Sequence, residues 1–434
     1  MGSRFLKMAL FFCFSILAIS CGEVELRRDI TITHLSISAA DPTLLYAATD
    51  SMGAWVHVSG EKIWKLMNHG VKTQRTTFLT HSPFDSHLLY MGTWGGGVYR
   101  SDDRGKSWRA MNEGLKNSTV IKLIFDPSDP RMVYLLTMHG GVFQSHSQGI
   151  SWIPFSQGLN QPDKNRLEDL LLQPSNPPLL YLATQKGLYQ RQTTDERWTR
   201  VKEFEDTFVS ALAYNPSQDV VYVGAGLTGQ LFKSEDKGLA WSALGKPLGG
   251  IIRPLLVDST TAILYAAIYG KGVLRSTDQG ISWEVLNQGL PTGDLKALIM
   301  DPQNTHTLYA GLWGGGVFKS TQQGKRWGSL NQGFPEHSSI DFTFLSKDPV
   351  ETSKEVRVPE VFAKCNVCHG WADPLLNLRR DSWYVVGTPR DWEFTVKRMN
   401  AHYERTTGES LKDALSAEEE STVIKFLNRY YGKA

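Results

Sequence analysis

The chain has 434 residues, 21% of them charged and 11% aromatic, and its formal charge is only +2. Near-neutrality without a basic block excludes the electrostatic footprint of a nucleic-acid binder. The length exceeds what one compact core usually organises, so a large domain with a small companion is expected.

Arg4 and Lys7 precede an apolar run over residues 8–19, "MALFFCFSILAI". Spanning a bilayer takes about 20 apolar residues, so this run is too short to cross but suits the core of a secretory signal. Residues 1–20 therefore read as a leader and the chain as exported. The run ends in "LAISCGE", which resembles a bacterial lipobox with Ala18 where Leu is usual. The resemblance implies cleavage before Cys21, a lipid on that thiol, and a periplasmic protein anchored to a membrane. N-myristoylation is excluded because Leu6 stands where Ser or Thr is required.

An internal repeat governs the next 300 or so residues. Trp64, Trp108, Trp152, Trp198, Trp241, Trp283 and Trp327 are spaced by 44, 44, 46, 43, 42 and 44 residues. Each unit has an alternating apolar stretch, a "DP" turn, an apolar run such as "LLYMGTW", a glycine-led stretch such as "GGGVYRS", and a tryptophan segment ending in "NEGL" or "NQGL". Four short β-rich runs separated by turn residues predict one four-stranded antiparallel sheet per unit. A single such sheet leaves its faces uncovered, so copies must stack, and a ring of seven protects its edges. The reading is a mainly β chain, a seven-bladed β-propeller over 29–349.

The octets "SDDRGKSW", "SEDKGLAW" and "STDQGISW", at 101–108, 234–241 and 276–283, resemble the Asp-box signature, a hairpin turn between the third and fourth strands of a blade. Ser147 and Gln322 replace the acid in two further copies, and those before Trp64 and Trp198 are eroded. An Asp accepting bonds from its own turn, a Gly with permissive φ and a buried Trp make these residues structural. The Asp-box family includes sialidases and other glycosidases, which need an arginine cluster or paired carboxylates. No arginine recurs at one repeat position. Glu168 and Asp169 are isolated candidates, and "GTWGGGVYR" and "GLWGGGVFK" place Trp94 and Trp313 either at a binding face or in ordinary packing.

Past the repeats, "SSIDFTFLSKDP" reads as a further strand and 350–357 as a polar linker. The remainder, 358–434, turns helical: Thr388 and Ser416 are N-caps, and Val423, Ile424, Leu427, Tyr430 and Tyr431 give the last helix an apolar face. Cys365, Cys368 and His369 form "CNVCH", the haem c attachment pattern, in which two thiols bond the porphyrin and the imidazole ligates iron. Zinc would need four ligands, yet beyond these three the tail offers only His402, and zinc motifs usually pair two such clusters. A thioredoxin-like pair would need a βαβ unit, and a disulfide so short adds little. The segment "W-x-x-x-V-x-x-M" at 392–399 resembles monohaem cytochromes c, implying an all-α haem domain with Met399 as second axial ligand and His402 as the alternative. Trp371, Trp383 and Trp392 line the haem pocket or pack the core.

These readings predict a non-enzymatic electron-transfer protein with one haem c. Its propeller would dock a redox protein or membrane respiratory complex, and no nucleic acid is expected. The alternatives are a glycosidase-like or other catalytic propeller with an accessory cytochrome, and an assembly factor for a membrane redox complex.

Overall fold

The structure, a computed structural model, describes residues 30–334 apart from 39–40, 117–118, 160–165 and 292–293. Within them are seven four-stranded antiparallel sheets, each built from consecutive strands of the chain. The innermost strands are Ile32–Ile37, Thr76–His81, Val120–Phe125, Leu167–Gln173, Val209–Asn215, Ile252–Val257 and Leu295–Asp301. Every one of them touches the innermost strands of its two neighbours, and the last touches the first, so the sheets are the blades of a closed seven-bladed propeller. We number the blades 1 to 7 in chain order.

Burial explains the repeat. Second strands such as Val133–Thr137 and Leu264–Ile268 are buried along their whole length, because both faces of a blade are covered by neighbouring blades. That requires near-continuous apolar sequence, which "VYLLT" and "LYAAI" supply. The core is divided among the gaps between blades: Tyr90 and Val98 of blade 2 pack with Leu135, Phe143 and Trp152 of blade 3, and the pattern recurs around the ring. Fourth strands are short and exposed, as in Arg109–Ala110 and Glu284–Val285, which keeps the outer sheet edges unattractive for pairing.

Every innermost strand carries a register irregularity near its start: between Thr76 and Phe78, between Leu167 and Asp169, and likewise in the other five blades. A bulge leaves its extra residue out of the ladder and re-aims that side chain. The residues so placed are Thr33, Thr77, Ile121, Glu168, Ser210, Arg253 and Lys296. The bulges thus bring seven chemically unlike residues to one end of the ring.

Among the described residues the ring closes without a shared strand. Trp64 in blade 1 donates its indole N–H to the carbonyl of Leu330 in blade 7 at 2.6 Å, and Phe334 stacks on Trp64 with centroids 4.8 Å apart. Gly316 and Gly314 donate to Ile30 O and Thr31 Oγ1, each at 2.9 Å. The boundary expected at 349, the strand read in "SSIDFTFLSKDP" and the all-α domain at 358–434 lie outside the described residues.

Candidate functional site

The two ends of the propeller differ chemically. One carries the Asp-box turns. In blade 6, Ser276 Oγ donates to Asp278 Oδ1 at 2.7 Å, while the amide and hydroxyl of Ser282 donate to the same carboxylate at 2.9 and 2.5 Å. The Ser282 hydroxyl, then its amide, then Ser276 hold the Asp278 carboxyl well below its ordinary range, at about 2. All of Asp278's described partners are in its own turn, as expected for a structural role. Where Ser147 replaces the acid, its hydroxyl still accepts from the Ser151 amide at 3.3 Å.

At the opposite end, the turns between second and third strands meet the starts of the innermost strands. Trp94, Tyr269 and Trp313 occupy the same repeat position there, directly after the second strands of blades 2, 6 and 7. Asp50 fills that position in blade 1, which lies between blades 7 and 2, so these four side chains form one arc around the channel mouth. The backbone is pinned in register: Trp94 N donates to Arg75 O at 2.9 Å and Trp313 N to Asp294 O at 2.8 Å. Arg75 Cζ lies 4.9 Å from the Trp94 ring centroid, and Lys296 Nζ lies 4.2 Å from that of Trp313. Arg75 also forms an ion pair with Asp50 at 2.9 Å, and Tyr269 is 58% exposed. Trp94 and Trp313, which sequence alone left between binding and packing, are half-buried with cations over their rings.

Sequence reasoning missed what presents these aromatics. The Asn of "MNEGL" and "LNQGL" clasps the turn: Asn112 Oδ1 accepts from Val98 N at 2.8 Å, and its amide donates to Gly96 O at 3.0 Å. Asn331 does the same for Val317 and Gly315 below Trp313. Gly97 has φ +81°, and a Cβ there would lie 2.1 Å from Asn112 Oδ1. The recurrence of "N-x-G" was the signal that could have found the clasp.

Deeper in the channel, Asp169 pairs with Lys122 of blade 3 and accepts from Leu212 N of blade 5 at 2.9 Å. Glu168 pairs with Arg253 of blade 6 and sits 3.4 Å from Arg166. Burial pushes the Glu168 carboxyl up against the pull of Arg253 and Arg166. His34 from blade 1 joins this wall; burial first, then Lys122, lowers its pKa to about 4. The structure brings Glu168 and Asp169 to the ring centre as consecutive residues of one strand, each already answered by cations of other blades.

Cys21, Cys365, Cys368, His369, Met399, His402, Trp371, Trp383 and Trp392 lie outside the described residues. Among the described residues there is no group of three or more His, Cys, Asp or Glu placed to hold a metal ion.

Known families match parts of this propeller. Residues 96–197 match the Sortilin-Vps10 model (sortilin, neurotensin receptor 3), and residues 176–343 match the DUF6242 beta propeller domain. No curated protein matches significantly. Among solved structures, a GH74 xyloglucanase from Xanthomonas campestris is 18% identical, with 71% of this chain and 55% of that chain covered and a TM-score of 0.59. YCF48 bound to a D1 peptide is 11% identical, with coverage of 68% and 94% and a TM-score of 0.54. The extracellular domain of a one-component system from B. thetaiotaomicron is 14% identical, with coverage of 69% and 39% and a TM-score of 0.54. At such identities the likeness is one of fold, and the chain spans about half the length of the xyloglucanase.

These neighbours correct the functional reading. The account of the chain as a non-enzymatic electron-transfer protein with a partner-docking propeller is overturned, and nothing in the described domain supports its haem, iron and cytochrome labels. The described domain sits among glycoside hydrolases, YCF48 proteins and sensor ectodomains, and the glycosidase-like alternative is the closer one. The extracellular neighbours agree with export, and no described helix is long and apolar enough to cross a membrane.

Proposed function

We propose that the propeller is an exported, polysaccharide-directed domain of glycoside-hydrolase type, gripping an extended glycan across the channel mouth. The observation that carries this is the arc of Tyr269, Trp313 and Trp94 at one repeat position on one end of the ring. Flat aromatic faces stack on the apolar C–H faces of sugars, and the polar groups between them fix hydroxyls. The GH74 neighbours, one of them a xyloglucanase, support this choice of ligand. Glu168 and Asp169 are carboxylates at the ring centre, and glycosidic cleavage calls for two such groups.

The test uses the full-length protein with xyloglucan, measuring binding by calorimetry and turnover by release of reducing ends. Retention that is lost in Trp94→Ala and Trp313→Ala is expected, and turnover that vanishes in Glu168→Gln or Asp169→Asn would assign the chemistry. A chain that neither binds nor cleaves any of a panel of soluble glycans would sink the reading.

Two further proposals rest on the sequence. A lipid on Cys21 would hold the domain at a membrane. Haem c on Cys365 and Cys368, with His369 and Met399 on the iron, is checked by whether porphyrin absorbance survives denaturation and disappears when both cysteines are replaced by Ala.

A further inference from the structure

We propose that the glycan held at the mouth is anionic, a uronate-bearing polysaccharide, an assignment that rests on the polysaccharide reading above and narrows it. A neutral polymer needs only aromatic faces and hydrogen-bonding groups. Here two indoles each carry a cation, Arg75 over Trp94 and Lys296 over Trp313.

The two cations come from non-equivalent positions of the repeat. Arg75 directly precedes the innermost strand of blade 2, whereas Lys296 is the bulged second residue of the innermost strand of blade 7. The same cation-over-indole geometry therefore arises twice by different routes and is not a relic of duplication. A sugar stacked on either ring would bring an equatorial carboxylate within reach of the adjacent cation. Guanidinium and ammonium groups bind carboxylates with charge-assisted hydrogen bonds.

The distribution of charge on this end favours the same ligand. Glu168 alone answers both Arg166 and Arg253, yet its side chain is 3% exposed while theirs are 40% and 41%. The acid is hidden while the two guanidiniums are partly open to solvent, Arg253 with its Nε buried. Arg75 is matched by Asp50, and Lys271 projects beside Tyr269 with its ammonium on Leu248 O at 2.8 Å. Asp294 also lies here, accepting from Gly270 N at 3.1 Å, but the cations Arg75, Lys271, Lys296, Arg166 and Arg253 outnumber it and Asp50, and such an excess concentrates polyanions.

The experiment compares polygalacturonate with xyloglucan on the full-length protein by calorimetry at low and moderate salt. Polygalacturonate should bind at least about tenfold tighter at low ionic strength, with the ratio shrinking as salt screens the cations. Lys296→Gln should narrow that ratio and Lys296→Arg should restore it. Equal affinities would overturn the anionic assignment while leaving the polysaccharide reading in place. Binding of neither polymer would remove both. Equal, equally salt-sensitive retention of a DNA fragment would reduce the mouth to a non-specific ion exchanger and also overturn the assignment.

Discussion

Five of the repeat tryptophans spend their indole N–H on the preceding blade: Trp108 on Met67 O, Trp152 on Met111 O, Trp198 on Phe155 O, Trp327 on Leu286 O and Trp64 on Leu330 O, all between 2.6 and 2.9 Å. Trp241 differs, since its Nε1 is buried without a partner and its ring packs edge-on to Tyr181 and Phe204. Trp152→Phe takes from the Met111 carbonyl the indole donor it holds in the core and is expected to lower stability by about 1–3 kcal/mol, whereas Trp241→Phe deletes an unsatisfied donor and should lose less. Denaturant midpoints decide, and equal losses would refute the distinction. Acid acts at this scale too. His34 has its folded pKa lowered to about 4, so stability present above pH 6.5 or so is lost as the unfolded chain alone takes the proton between those values. Asp278, held at about 2, contributes stability that is present above about pH 4 and fades from there downward. Melting temperature should therefore fall in two stages on acidification, with Asp278→Asn flattening only the lower one. A single stage unaffected by that change would contradict this account.

The hairpin turns and bulges set which side chains meet a ligand. Trp94 is held out by a four-residue turn whose Gly97 needs a left-handed backbone and whose carbonyl and amide are clasped by Asn112. Gly97→Ala would put a Cβ on the Asn112 amide at a strained φ, costing about 1–3 kcal/mol locally. Glycan affinity should drop as far as in Trp94→Ala even though the indole remains; unchanged affinity would mean the clasp does not present the ring. Much of this element was legible in the sequence, because Gly runs and tryptophans mark the turns at fixed offsets. The four strands per unit follow from those marks. The bulge was not legible: the pattern of "RLEDLL" looks the same whether Glu168 is paired or extruded, since a bulge is a register relation between two strands and leaves no trace in one. For the same reason the cross-blade partners of Glu168 and Asp169, which come from blades 3, 5 and 6, could not be read from their own segment. The cations over Trp94 and Trp313 sit 19 and 17 residues upstream, at separations no local pattern relates.

For the whole ring, the even spacing of seven tryptophans gave the blade count, but the manner of closure depends on contacts between residues more than 260 positions apart, such as Trp64 and Leu330. Many-bladed rings gain nothing from the last joint until all the others have formed, so the blade 7 to blade 1 seam bears the entropy of closing the whole chain. Among the described residues that seam has no shared strand and carries a compact aromatic group: Phe334, 7% exposed, is stacked on Trp64 and lies edge-on to Trp55 at 5.3 Å. Phe155 fills a comparable internal seam between blades 3 and 4, edge-on to Trp198 at 6.2 Å and also buried. Truncating either ring to Ala removes similar apolar contact, about 3–5 kcal/mol by the general scale for such changes. The consequences should differ in place. Phe155→Ala weakens a joint whose two blades stay tethered by a short connection, while Phe334→Ala loosens the one joint where they are tethered only through the rest of the ring. Hydrogen exchange in Phe334→Ala should therefore rise first at Trp64, Gly314 and Gly316, whose amides bridge blades 7 and 1, with blades 3 to 5 still protected. Exchange that rose evenly around all seven blades would show that the seam is no weaker than the other joints and that the ring opens only as a whole.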